Sequence, residues 1–368
     1  MRDAVASVFA TVLGAIIGSF LNACIHRMPR GVSLREPRRS FCPSCHRTIP
    51  WFENLPVVSW LVLRGKCSGC GAKISVRYLL VEILTAALFL LAWSHYGLPL
   101  APVYWLFLAL LIAATFIDIE HFIIPDEITW GGTAAGIILS GLIPQMMETD
   151  SRLTALGLSL AGAVLGYGLL WAIVEFGKLA FGKKRHKFEP AEPFTWHRDG
   201  DKATLTVGEE TLLWEDIFSR ESDELVLECT TAAVAGGERE NAILRFRYDR
   251  LILDGQETSL DQLETATGQL RAVTIPREAM GFGDVKFIAA IGAFLGWKAV
   301  LFTLCAASII GCVAALAGIF LARDKAGSRV PFGPFLALGA AIWIFGGQAV
   351  WDWYFGMFGG PRPGLLEF

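Results

Sequence analysis

Charge is what this chain has least of. Only 18% of its 368 residues are Asp, Glu, Lys or Arg, and segments 5–25 and 299–321 hold none at all. With 54% hydrophobic residues and a mean hydropathy of +0.49, one soluble globular domain is excluded. Charge-free windows of about 18 residues or more read as membrane-spanning helices. The sequence also lacks internal repeats, low-complexity tracts and the Gly-rich strand-to-helix turn with which soluble methyltransferases hold their cofactor. No small-x-small cleavage site follows the first apolar run, so segment 1–25 is expected to be a retained helix and not a cleaved signal. The net charge of −3 points to no particular partner, and no nucleic-acid partner is expected.

What is present is a series of apolar runs at 5–25, 79–97, 101–118, 128–146, 153–181, 284–297, 299–321 and 331–358. They predict an all-α polytopic membrane protein of about eight transmembrane helices. Two polar blocks interrupt them. Residues 26–78 carry ten Lys or Arg against Glu36 and Glu53. This excess places the loop in the cytoplasm by the positive-inside rule. Threading from there puts both termini outside and the loop 322–330, with Arg323, Lys325 and Arg329, inside. Residues 182–279 hold 20 Asp or Glu against 13 Lys or Arg. Stretches such as KATLTV, ELVLECTT and AILRFRYDRLIL alternate as half-buried strands do, and DQLETATGQL reads as a short helix. An inserted, small β-rich (α+β) soluble domain is expected. The domain layout is then 1–25, 26–78, 79–181, 182–279, 280–358 and a tail 359–368.

The same threading brings Asp118, at the end of run 101–118, and Asp284, at the start of run 284–297, to one membrane face at similar depth. Carboxylates in membrane segments are costly and usually functional. Two close together do not both ionise easily, which leaves one as general base and the other as general acid. Gly281 and Gly283 beside Asp284 would let a substrate backbone approach. The plainer alternative makes Asp284 a helix N-cap. Asp126, after Pro125, has a stronger claim to that role. Glu120, Asp126 and Glu127 give the 119–127 loop an acidic face, and Glu82 and Glu175 could bond between helices.

Eight cysteines divide into four lone ones, at 24, 229, 305 and 312, and two CxxC pairs. Cys42, Cys45, Cys67 and Cys70, with 21 residues between the pairs, have the spacing of a zinc ribbon with four thiolates on a structural ion. His46 is a less suitable ligand. Asn22, near the inner end of the first run, either bonds a neighbouring helix or touches substrate. Trp51, Trp60, Trp93 and Trp105 suit interfacial anchoring or core packing.

Taken in order, GSFLNACIHRMP, FCPSC, WFENLPVVSWLVLRGKCSGCGAKISVRYLLVEILTA, FIDIEHFIIPDEIT and MGFGDVKFIAAIGAFLGW closely resemble the bacterial type IV prepilin peptidases, a GxGD type of membrane aspartic peptidase. The likeness spans the chain except 183–276. It implies removal of the basic leader of type IV prepilins or type II secretion pseudopilins at the cytoplasmic face of the bacterial inner membrane. In many members it also implies N-methylation of the new terminus with S-adenosylmethionine. It assigns catalysis to Asp118 and Asp284 and a structural zinc to the four paired cysteines. Any methyl transfer falls to the 26–78 loop, with Glu53 and Asn54 of ENLP as candidates. Expected partners are prepilins, membrane lipid and, through the insert, pilus or type II secretion assembly proteins. Of two rival readings, an ion- or proton-coupled transporter would use membrane carboxylates but calls for acids deep in several spans and for similar halves. Here the acids cluster at one face and the halves show no similarity. The other, a non-catalytic assembly scaffold, leaves the paired aspartates idle.

Overall fold

The computed structural model describes residues 2–36, 40–181, 183–199, 202–208, 210–218, 223–234, 237–253, 255–276, 281–318 and 330–357. The inner loop at 322–329 and the tail 359–368 lie outside them. In chain order the helices are α1 (Arg2–Arg27), α2 (Val58–Val62), α3 (Val76–Tyr96), α4 (Leu100–His121), α5 (Asp126–Leu142) and α6 (Arg152–Phe181). Then follow α7 (Trp214–Ile217), α8 (Phe282–Ala317), α9 (Gly333–Ile342) and α10 (Gln348–Met357). The strands are β1 (Lys183–Asp199), β2 (Lys202–Val207), β3 (Glu210–Leu213), β4 (Leu225–Val234), β5 (Gly237–Glu240), β6 (Ile243–Phe246), β7 (Arg250–Leu253), β8 (Gln256–Ser259) and β9 (Thr265–Pro276). They fall into two compact units: Met1–Trp171 with Gly281–Phe368, and Ala172–Met280.

Six described helical stretches are long and apolar enough to cross a membrane, where the sequence suggested about eight. The difference has two sources. The run at 128–146 forms α5, which is only 17 residues long. The runs at 284–297 and 299–321 share α8, whose backbone leaves the helical region at Gly296 (φ 77, ψ 178). Residues eight apart on a straight helix are separated by about 12 Å. A methyl group on Gly292 would nevertheless come within 2.9 Å of Val300. The chain therefore doubles back at Gly296.

Small residues set the helix crossings of this unit, as expected where apolar surroundings give no hydrophobic drive to association. Gly14 and Gly18 of α1, four apart, lie against α3, where an added Cβ would sit 2.7 Å from the Ala86 and Glu82 Cα atoms respectively. Gly136 of α5 lies against Ala293, and Gly162 of α6 against Gly292, so both helices grip the first half of α8. Ser159 adds a hydrogen bond from its hydroxyl to the Ala293 carbonyl at 2.7 Å. These contacts leave no room for side chains. Gly136→Leu is expected to lower the thermal midpoint of the detergent-solubilised protein, with overpacking costing about 1–3 kcal/mol; an unchanged midpoint would mean the helices separate easily.

The second unit is a nine-stranded antiparallel sheet in the order β3-β2-β1-β9-β4-β6-β7-β8, with β5 also paired to β4. Its core gathers Phe194, Trp196, Leu205, Trp214, Leu227 and Phe246. Trp196 meets Trp214 edge-on at 5.7 Å. The segment AILRFRYDRLIL is two strands, β6 and β7, joined as a hairpin. DQLETATGQL is not a helix beyond the short turn Leu260–Gln262. Its remainder opens β9, which pairs with both β1 and β4, so ladder bonds on two sides outweigh local helix preference.

Candidate active site and metal centre

Asp118 lies one turn from the C-terminal end of α4 and Asp284 in the first turn of α8. Both carboxylates are buried, at 5% and 7% exposure. Ile124, in the link between α4 and α5, packs beside Gly283, next to Asp284, and beside Gly333, next to the Asp118 carboxylate. A Cβ on Gly333 would come within 3.0 Å of Ile124 and 2.7 Å of Asp118 Oδ2, while one on Gly283 would come within 3.3 Å of Ile124. Asp118 and Asp284 are thus within Coulombic reach of one another.

Their surroundings differ. Asp118 Oδ2 accepts the Gly333 N–H at 3.0 Å, one of the free donors that open α9. Asp284 Oδ1 is buried and has no hydrogen-bond partner among the described residues. A capping aspartate would accept a backbone N–H, but α8 starts after Gly281 without any side-chain cap. The capping alternative therefore fails for Asp284. Asp126 does not cap α5 either, since Pro125 occupies that position, and its carboxylate instead accepts from Lys286 Nζ at 2.6 Å.

The two glycines before Asp284 separate in role. Gly283 is needed because Ile124 packs against it. Among the described residues, a built Cβ on Gly281 would meet only Asp284 Oδ2, at 3.7 Å. Gly333 is a site residue that sequence reasoning missed. Its signal was the PFGPF stretch, a glycine at a helix start beside two aromatics.

The 119–127 loop is less acidic in effect than its composition suggests. Glu120 pairs with Arg77 of α3, and Asp126 with Lys286 of α8. Of its three acids, only Glu127 has no cation within ion-pair distance among the described residues. Asn22 is buried, and its amide donates to the Tyr78 carbonyl of α3 at 3.0 Å, leaving Oδ1 without a partner. It ties α1 to α3. Trp105 is core, stacked on Phe89 and donating to the Phe89 carbonyl at 2.8 Å, whereas Trp51 is 78% exposed.

The cysteines form two matching knuckles. Cys42 N–H bonds the Arg47 carbonyl and His46 N–H the Cys42 carbonyl; Cys67 with Ala72, and Gly71 with Cys67, repeat the pattern. His46 and Gly71 occupy the left-handed region at equivalent positions, with φ of 55 and 71. The four Sγ atoms lie within 4.8 Å of one another, and Cys42 and Cys70 are 3.8 Å apart. A tetrahedral ion with bonds of about 2.3 Å needs sulfurs about 3.8 Å apart, so the donor set fits. N–H groups of Cys45 and Ser44 push the Cys42 thiol down to about 6, and those of Cys70 and Gly69 lower Cys67. At Cys70 the Ala72 N–H is outweighed by burial and by the other three thiols, which push it up to about 11. His46 is not among the four donors.

Glu53 clamps the knuckles together. It accepts from Ser68 on the second at 2.6 Å and from Arg47 on the first at 3.0 Å. Those bonds, the Ser68 hydroxyl foremost, hold its carboxyl below the usual range. Asn54 is exposed.

Residues 12–96 match the family described as the Bacterial Peptidase A24 N-terminal domain. Residues 105–183 and 263–316 match the type IV leader peptidase family. A protein of Dichelobacter nodosus called prepilin leader peptidase/N-methyltransferase is 38% identical over 207 residues, covering 48% of this chain and 68% of that one. The chain belongs to the type IV leader peptidase family. Family resemblance extends over most of its length. A prepilin leader peptidase/N-methyltransferase of Aeromonas hydrophila is 28% identical over 372 residues, 92% of this chain and 90% of its own. An Escherichia coli O78:H11 protein, a type 4 prepilin-like proteins leader peptide-processing enzyme, is 40% identical over 185 residues, 45% of this chain and 66% of its own. No solved structure matches. The two matched blocks of the leader peptidase family flank residues 184–262, most of the sheet unit.

Proposed function

We propose that this multi-pass membrane protein is an aspartic endopeptidase that removes the basic leader of type IV prepilins or pseudopilins and then N-methylates the new terminus. The observation that carries the reading is the pair of buried carboxylates, Asp118 and Asp284, brought from two helices around Ile124. Family membership and the printed names of the relatives support it.

A water between the two carboxylates loses a proton to the unprotonated one as it attacks the scissile carbonyl. The protonated partner gives its own proton to the developing oxyanion, so the pair still holds one proton, now on the other carboxylate. That proton passes to the leaving amine as the C–N bond breaks. Asp118 is held for this by the Gly333 N–H. Asp284 Oδ1 has no partner among the described residues, so no fixed bond opposes its proton exchange. The open side of Gly281 receives the substrate backbone.

In this reading the site faces the cytoplasm at the inner membrane, with α5 and the two arms of α8 counted as crossings to make eight. The domain boundaries at 26–78, 182–279 and 280–358 follow from it. The four thiols would hold a structural zinc, which stabilises the loop and leaves no open coordination position. S-adenosylmethionine would supply the methyl group. Glu53, which bonds Arg47 and Ser68, and exposed Asn54 remain the candidates to contact it in the 26–78 loop. The sheet unit is the natural contact for pilus or secretion assembly proteins.

The test is leader removal from a co-expressed prepilin in isolated membranes, with variants matched for level. Gly333→Ala would thrust a methyl at Asp118 Oδ2. It is expected to slow cleavage about 10–100-fold, the worth of one hydrogen bond to a charged group. Gly281→Ala is sterically free within the protein. Slowing by Gly281→Ala would therefore report substrate approach, and normal rates with both variants would sink this geometry.

A further inference from the structure

The stretch PWFENLPVVSWLVL, residues 50–63, joins the two cysteine knuckles and lies outside every membrane-crossing helix. A linker in water should be polar, and this one is not. Trp51, Phe52, Leu55, Val58, Leu61 and Val62 are all exposed, at 43–78% for the whole set, with Trp51 at 78% and Val62 at 74%. Its one charged residue, Glu53, turns back to Arg47 and Ser68.

Depth follows from one hydrogen bond. Glu82 of α3, itself buried, accepts the Val57 N–H at 2.7 Å. Glu82 is six residues past the first residue of α3, about 9 Å along the axis. Side chains lean toward the helix start, so Val57 is held between the first and second turns of a membrane span. Val57 adopts φ 63, a costly conformation for a β-branched residue. Its geometry is imposed by the clip to α3.

The backbone is also prepared for a water-poor setting. Ser59 Oγ accepts the Leu55 N–H at 2.9 Å and donates to the Phe52 carbonyl at 3.0 Å. Irregular chain at membrane depth requires such internal satisfaction. Val76, Leu80 and Ile83, in the first turns of α3, to which the segment is clipped, are exposed as well. Arg64, Lys66 and Lys73, which follow the segment in the chain, are exposed, with no ion pair among the described residues. Cations bordering an apolar face match anionic headgroups above acyl chains.

We propose that residues 51–62 form a membrane-embedded wedge in the headgroup–acyl boundary of an anionic lipid leaflet. Glu82 clips it to α3, and the metal-binding knuckles are thereby tethered to the bilayer surface at both ends. The wedge stands on the membrane-spanning architecture alone and does not depend on peptidase activity.

The test uses the full-length protein in phosphatidylethanolamine/phosphatidylglycerol vesicles containing a phosphatidylglycerol with an acyl-chain diazirine. After photolysis, lipid adducts are mapped by peptide mass spectrometry. Adducts are expected on the 51–62 peptide at a level comparable to those on the exposed face of α3. In a Leu61→Asp/Val62→Asp variant they should fall at least about fivefold, because the apolar anchor is lost, while α3 adducts persist as a control of fold. Adducts on α3 but none on 51–62 would overturn the proposal. So would labelling of 51–62 that the Leu61→Asp/Val62→Asp variant leaves unchanged.

Discussion

Asp118→Asn and Asp284→Asn should each slow leader removal at least about 1,000-fold, within the range that general acid–base groups contribute. The double variant should be no slower than either single one, because residues that act as a unit lose their whole effect at the first deletion. Stability should separate this role from a capping one. The Asp118→Asn variant retains a carbonyl oxygen for the Gly333 N–H, so the fold should survive. The Asp284→Asn variant replaces a buried carboxylate that has no partner for Oδ1 by a neutral amide. Its thermal midpoint should therefore equal or exceed that of the parent, since no bond to Oδ1 is lost and repulsion from Asp118 is relieved. A cap would show the reverse, a fall of about 1 kcal/mol with activity kept. Asp126→Asn is the control. It loses only its link to Lys286, in which the Asp126 side chain is 63% exposed, and such pairs are worth about 1 kcal/mol or less. Normal cleavage by Asp284→Asn would refute the dyad.

Cys67→Ser should empty the metal site and spare the peptide cut. Three thiolates in place of four abandon a closed tetrahedral set, and such sites supply much of the folding free energy of their loops. Bound zinc, measured by elemental analysis of purified protein, should drop from about one ion per chain to well under half. The 40–73 loop, then joined mainly by Glu53 to Arg47 and Ser68, should become sensitive to protease. Cleavage should stay within about tenfold of normal, because the carboxylates sit on α4 and α8 and no general acid or base has been removed. Methylation of the mature terminus should fall much further. An unchanged zinc content would discard the four-cysteine site, and cleavage lost in step with zinc would make the loop part of the peptidase.

Much of the site was legible because its chemistry is local or expensive. Two CxxC pairs can be read as metal ligands since tetrahedral thiolate coordination demands that spacing. Asp118 and Asp284 stood out because carboxylates are rare at the ends of apolar runs. Gly333 was not legible, because its role is a single N–H directed at a residue 215 positions earlier. Glu82 and Val57, 25 residues apart, meet in the same way. The contacts of Glu53 were not legible either, because Arg47 and Ser68, which bond its oxygens, sit on the two knuckles and meet only in the folded loop.

The sequence by itself determined the membrane-spanning character, the gathering of four thiols and the identity of the two carboxylates, because hydropathy, ligand spacing and the cost of burying charge are properties of short segments. Tertiary structure alone decided the rest. It turned α8 back at Gly296, neutralised Glu120 and Asp126 with cations from other helices, and left Asp284 Oδ1 unpaired beside a tethered Asp118. Each of these depends on which backbone groups and charges arrive from distant parts of the chain, and no local pattern encodes that.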